Sequence, residues 1–434
     1  MRQRLSFHER FIFLNRSHFA LICILFINAS AEIDINCSLK TDQNIYWPAP
    51  VMAKPGYLQT FTDPTFGVRI TRIVGDPGTP LPNIPGQKWA SEQLRHGYSK
   101  RQAWNCDQSM IFLDRHSPPL WLDGESYKVL FTRPDKPVNK NPDRPRYDVR
   151  WSHSEPNIMY YLLNYPGECH FGKWDVIKDI ASELIDLRGY TSCTFGDGEG
   201  NFTADGKKAV IIAVKNEKKV IFVLDVENKS KGPDIKIEKL DNCTMSPFGN
   251  YIVVDGFIGD DGDRIHVRKA TDGSVVWSET RYGVPSHWDV QIDQNGDEVV
   301  VGVCKSAPYN GMVIKRRLSD GYITVLVNCG YASHTSGRNL KRPGWVFITY
   351  SSRDNPKWYP YQNEIVAVKL DGSRTERICN IHSYVFTYVS ESHGSPSPDG
   401  LRVIFASDWD SKTFPVQAYV ADFRDKVITG PAKD

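Results

Sequence analysis

One short phrase recurs along this chain, and it constrains the fold more than any other feature. The phrase is a polar approach, a tight turn, and then an apolar strand rich in β-branched residues. It reads FTADGKKAVIIA at 202–213, MSPFGNYIVVD at 245–255, VQIDQNGDEVVVGV at 290–303 and SPSPDGLRVIFAS at 395–407. Weaker copies are AWNCDQSMIFL at 103–113, WSHSEPNIMYYL at 151–162 and GRNLKRPGWVFIT at 337–349. The seven turns fall near residues 107, 156, 205, 249, 295, 343 and 399, with spacings of 44 to 56 residues. A four-stranded propeller blade takes ~40–50 residues. One blade cannot bury both of its faces alone, whereas seven stacked around an axis do so and leave only short edges. The sequence therefore predicts an all-β, seven-bladed β-propeller, four strands to a blade, over residues 32–434. Strands at 58–74 are expected to help close the last blade.

Composition agrees with one large globular domain. The 434 residues are 40% apolar and 24% charged, which excludes wholesale disorder. Residues 1–31 carry Arg2, Arg4, Arg10 and Arg16 ahead of the apolar run FALICILFI (19–27), followed by small residues up to Ala31. That pattern predicts a secretion signal cleaved near Ala31, since the run is too short to span a bilayer; an uncleaved anchor or a buried strand is the alternative. Beyond it the chain is close to neutral, and no other stretch is apolar enough for a membrane span. A dedicated nucleic-acid binder is therefore unexpected. The expectation is a secreted or periplasmic monomer. Export permits disulfides among Cys37, Cys106, Cys169, Cys193, Cys243, Cys304, Cys329 and Cys379, though spacing does not show the pairing. Sequons stand at Asn36, Asn201, Asn228 and Asn242.

Residues just before each blade's inner strand, and those in the loop after the second strand, share one face of a propeller. Histidine is scarce, eleven in all, yet three take one repeated position in consecutive blades, each after a serine: His287, His334 and His393. Cys304 ends the second strand of the blade that carries His287. Imidazole and thiolate are preferred Zn²⁺ ligands. These four residues are the candidate site for one structural divalent ion; the alternative is that each histidine ties blades together by hydrogen bonds. His170, in a loop of the second blade, and Arg264, after the polar loop 259–263, should face the channel mouth. His153 lies by a turn, where it could instead be a hydrogen-bonded turn histidine at the opposite rim. Tyr98, His116, Asn201, Tyr309 and Arg338 are candidate ligand contacts on the same logic. The basic, proline-rich segment 132–146 could flank a groove for an acidic polymer or be a solvated loop.

RHGYSKRQAWNCDQSMIFLD (95–114), WLDGESYKVLFTR (121–133) and GRNLKRPGWVFITY (337–350) resemble the propeller-fold ulvan lyases. SHGSPSPDGLRVIFASDW (392–409) is similar to oligogalacturonate lyases as well. The resemblance implies β-elimination on a uronate-containing, sulfated algal polysaccharide, with a bound metal holding the fold. It implies that His170 and His153 handle proton transfer and that Arg264 neutralises the uronate carboxylate. Tyr251 and Tyr309 are the positions weighed for a tyrosine; Tyr98, His116 and Tyr309 are the fallback bases. Two other readings stay open, an oligogalacturonate-type lyase with a catalytic metal and a non-catalytic glycan- or protein-binding propeller. A serine peptidase is disfavoured, because the chain has no G-x-S-x-G elbow.

Overall fold

In the computed structural model, residues 35–133, 147–164, 167–237, 239–256, 264–351 and 359–428 are described. The expected export signal, most of the basic segment 132–146 and the polar loop 259–263 lie outside them. The described residues form seven small antiparallel sheets, one per repeat of the phrase, arranged as a seven-bladed β-propeller. Blade 1 spans Met110–Thr132, blade 2 Tyr147–Asp186, blade 3 Ser192–Lys236 and blade 4 Cys243–Glu279. Blades 5 and 6 span Pro285–Val327 and Ala332–Asn380. Blade 7 joins Ser395–Pro396, Arg402–Ser407 and Val416–Asp422 to the N-terminal strands Arg69–Arg72 and Thr60–Thr62. The ring is thus closed by the segment that the sequence nominates.

The apolar runs follow from where the blades pack. Seven core clusters correspond to the seven blade–blade interfaces. Along one strand, Val299, Val301 and Val303 face blade 6 while Val300 faces blade 4. Successive side chains point to opposite faces, so a strand buried on both sides must be apolar at every position. The turns have their own requirement. Gly206, Gly249, Gly296, Gly344 and Gly400 sit at one place in five of the turns with φ between 64° and 79°, a region open to glycine at little cost.

Four strands per blade is the basic plan, with three departures. In blade 1 the inner strand is reduced to irregular ladder contacts, Phe112 N–H to Ala103 O at 2.8 Å and Asn105 N–H to Met110 O at 3.0 Å. The outer strand of blade 3 is split in two around Gly232-Pro233, and proline cannot donate to a ladder. Blade 7 gains the two N-terminal strands, and Gln93–Leu94 pairs parallel to Val416–Gln417.

Candidate active site

The inner strands line the axis with buried polar groups, and one segment spans the channel mouth above them. Arg95–Arg101, ahead of blade 1, contacts all six other blades. Arg101 pairs with Asp148 of blade 2 at 3.3 Å and donates to Gly198 O of blade 3 at 3.0 Å. Lys100 pairs with Glu199 of blade 3 at 2.6 Å, donates to Asn242 Oδ1 of blade 4 at 3.4 Å, and lies 3.9 Å from the Trp288 ring centre in blade 5. Ser99 O accepts from Ser336 Oγ of blade 6 at 2.6 Å. Arg95 donates to Val389 O and Glu391 O, and His96 Nε2 meets His393 O at 2.7 Å, both ahead of blade 7. This accounts for a polar segment that hydrophobic patterning alone leaves unexplained.

The segment delivers Tyr98 to the three repeated histidines. Its hydroxyl lies 3.2 Å from His287 Nδ1, and its ring packs edge-on against His334 and His393, with centroids 5.2 Å and 4.8 Å away. His287 and His334 rings are 4.7 Å apart, His334 and His393 rings 4.3 Å. The backbone is distorted to achieve this. His287 and His393 have φ of 48° and 47°, and the strand register slips beside His287 and His334. Positive φ in non-glycine residues and bulged registers are costly devices that re-aim side chains, and they concentrate at functional sites.

His334, Glu391 and His393 bring one ligand atom each to within 4.8 Å of one another. Glu391 Oε2 is 3.4 Å from His334 Nε2 and 3.3 Å from His393 Nε2. His334 is 1% exposed, yet neither ring nitrogen has a hydrogen-bond partner. Burial, reinforced by neighbouring positive groups, holds His334 and His393 well below the usual imidazole range, so both offer lone pairs. Two neutral imidazoles and a carboxylate fit a divalent cation. Of the four expected ligands, His334 and His393 enter this group. His287 adjoins it but is engaged by Tyr98. Cys304 is turned away: its thiol contacts Ser306 O at 3.3 Å and Ser306 Oγ at 3.4 Å. Glu391, which the sequence reading missed, takes the third place; its signal was the Glu-x-His spacing to His393.

A cleft of about 170 Å³ opens beside the group, lined among others by Tyr98, Lys100, Glu199, Asp255, Arg264, His287 and Tyr388. Burial lowers His287 to about 4, with Lys305 and Lys100 adding to the shift. Burial also raises the Tyr98 hydroxyl well above its ordinary value, so it stays protonated. Arg264 faces the cleft and makes no side-chain hydrogen bond or ion pair among the described residues.

The remaining candidates stand elsewhere. His170 stays within blade 2, its Nε2 3.3 Å from the Tyr161 hydroxyl and its Nδ1 3.9 Å from Glu183, and does not line the cleft. His153 lies at the opposite, turn-bearing rim, where it binds Ala204 O at 3.1 Å and shares a separate cavity with Trp104, Trp151 and Arg338. Arg338 makes a buried two-point contact to Asp289, at 2.9 Å and 2.8 Å. His116 has both ring nitrogens on backbone, Pro118 O at 2.6 Å and Ala90 N–H at 3.0 Å, so a ligand role is corrected to a structural one. Asn201 donates to Lys100 O at 2.8 Å inside the channel. Tyr309 packs near Gly283, and Tyr251 begins a blade 4 strand; neither lines the cleft.

No protein-family model matches the chain, and no curated protein matches it. Solved structures do. An oligogalacturonate lyase in complex with manganese superposes with a TM-score of 0.61 at 14% identity, over 87% of this chain and 99% of that one. An oligogalacturonate lyase from Vibrio parahaemolyticus gives 0.59 at 13% identity, over 84% and 96%. The fold is that of the oligogalacturonate lyases. At such identity the likeness is one of architecture. It favours the second of the two resemblances read from the sequence over the first.

Proposed function

We propose that this protein is a metal-dependent lyase that cleaves short uronate-containing chains by β-elimination, of the oligogalacturonate type rather than the ulvan type. The observation that carries the reading is the buried, cation-ready His334–Glu391–His393 group lying next to a cleft lined by an uncharged His287 and a half-buried Arg264 with no side-chain partner among the described residues. β-Elimination needs the uronate carboxylate neutralised, the C5 proton removed and the departing O4 protonated. A divalent ion held by His334, Glu391 and His393 would supply positive charge for the carboxylate and for the charge that develops as C5–H breaks. The donor set contains no thiolate, which weakens the expectation of Zn²⁺ and suits harder ions such as Mn²⁺ equally well.

The chain's own residues take the other tasks. Arg264 pairs with the carboxylate, offsetting the charge that opposes a carbanion. His287 accepts the C5 proton at Nε2 in the tautomer whose Nδ1–H donates to Tyr98. An arriving anionic sugar favours the imidazolium form and so strengthens His287 as a base just when it is needed. Tyr98, protonated at rest, would give its hydroxyl proton to O4 and be reprotonated from His287 Nδ1–H, which leaves His287 neutral with the former C5 proton on Nε2. These roles replace the proton-transfer assignment to His170 and His153. The test is absorbance from unsaturated uronate ends on oligogalacturonates, polygalacturonate and ulvan, with and without chelator. Activity is expected on oligogalacturonates, lost with chelator and restored by Mn²⁺. Exclusive cleavage of ulvan would return the substrate to the sequence-based expectation, and no cleavage of any of the three would favour a binding propeller.

A further inference from the structure

Two thiols from neighbouring blades meet in the core between blades 2 and 3. Cys169 ends the loop leading to the strand His170–Asp175 of blade 2, and Cys193 lies in the strand Ser192–Phe195 of blade 3. Both are fully buried, belong to one apolar cluster and share a side-chain hydrogen bond. The backbone on either side is fixed. Leu187 N–H donates to Cys169 O at 3.0 Å, and Cys193 N–H donates to Asn164 Oδ1 at 3.0 Å. Among the described cysteines no other thiol has a thiol partner. Cys37 and Cys329 engage Glu376 and Gln43 O, and Cys304 engages Ser306.

We infer that Cys169 and Cys193 form a disulfide in the exported protein, stapling blade 2 to blade 3. Each thiol gives up a proton and an electron, and one S–S bond forms between them. A disulfide oxidant such as glutathione disulfide, or a protein disulfide of the secretory compartment, takes up both electrons and both protons and leaves as two thiols. Both sulfurs are closed to solvent in the folded ring, so the bond forms while blades 2 and 3 dock. The staple has a consequence for the cleft. Cys193 lies six residues before Glu199, the blade 3 residue that pairs with Lys100 in the cleft wall. Tying the strand below Glu199 to blade 2 holds that wall in place.

The experiment is peptide mapping of the full chain, expressed with export to an oxidising compartment and alkylated in denaturant without prior reduction. The expected result is a cross-linked pair of peptides containing Cys169 and Cys193, with Cys106 alkylated in the same sample. Recovery of both residues alkylated, or of either linked to a different cysteine, overturns the inference. A second measurement applies if the mapping is incomplete. Reductant should lower the thermal midpoint of the natural chain by a few degrees, as expected for releasing a loop of this size. It should not move the midpoint of the Cys169→Ala/Cys193→Ala double variant. An equal response of the two proteins to reductant would also overturn it.

Discussion

Blades 2 to 4 and blades 5 to 7 face each other across the same channel mouth, yet they handle buried polarity in opposite ways. In blade 2, Asp148 is held by Arg101 and Arg150 and accepts Phe195 N–H at 2.9 Å. In blades 3 and 4, Glu199 and Asn242 share Lys100. Every one of these groups has its partner. In blades 5 to 7 the corresponding places carry histidines in strained or bulged backbone, and neither buried nitrogen of His334 makes a hydrogen bond, although Glu391 Oε2 lies 3.4 Å from Nε2. A buried polar group without a hydrogen bond costs ~1–3 kcal/mol, and a non-glycine residue at positive φ costs a similar amount. One arc satisfies its polar groups and holds the ring. The other leaves donors for a ligand, and the packing and polar contacts around it, such as the buried Arg338–Asp289 pair, must offset that cost.

The largest expected effect tests the strained arc. His334→Ala should remove stoichiometric divalent metal and lower lyase turnover by ~10⁴-fold, the several kcal/mol that a bound cation can supply to developing charge. Elemental analysis and initial rates on oligogalacturonate check it; retained metal would place the ion elsewhere. The next effect divides the arc internally. His287→Ala should cut kcat by ~10³-fold, within the range for a positioned base, while the metal stays bound. Loss of metal in this variant would make His287 a ligand, as the sequence reading has it. His170→Ala and His153→Ala should leave turnover within about twofold, since neither ring lines the cleft.

The satisfied arc should fail differently. Asp148→Ala leaves Arg150 facing a buried site without its carboxylate. Stranding a buried charge costs ~3 kcal/mol or more, and the loss should appear in chemical denaturation with metal content unchanged. If Asp148→Ala strips metal instead, the two arcs are coupled and the contrast between them fails.

The same contrast explains what the sequence could and could not reveal. Blade architecture was legible because it is written locally: turn glycines such as Gly206 and Gly400, and strands such as Val299–Val303 apolar at every position. The three histidines were legible because they are scarce and recur after serine. What they bind was less so. Glu391 carries no signal beyond its Glu-x-His spacing, since carboxylates are common along the chain whereas imidazole and thiolate are scarce, and Cys304 does sit opposite Pro285, beside His287. Register places a Cα; it does not turn a thiol, and this one faces Ser306. His116 is engaged by Ala90, 26 residues earlier. His153 shows the limit of period alone: the repeat says a turn is near, but the end of the disc depends on which side of the turn the residue falls.

The smallest effect asks whether blade 4 belongs wholly to the satisfied arc. Asp255 accepts Trp288 Nε1–H at 2.9 Å and lines the cleft with Glu199 and Asp241. Burial raises its carboxyl to about 6, partly opposed by the Trp288 bond and Lys100. A carboxyl whose folded value lies above its unfolded value binds a proton more tightly when folded. Its stabilising contribution is therefore complete below the unfolded value of 3.8, falls as the pH climbs, and is gone above about 6. Above that range the folded ring holds a buried carboxylate at a cost of ~2 kcal/mol, from ~1.4 kcal/mol per unit with a discount for residual solvent. Asp255→Asn keeps an acceptor for Trp288 and removes the charge. The variant should melt about 2 °C above the natural chain at neutral pH, and the two curves should converge near pH 4. A variant less stable than the natural chain at every pH would mean that Lys100 pairs with an ionised Asp255, as it pairs with Glu199 at 2.6 Å, which would place blade 4 fully with blades 2 and 3.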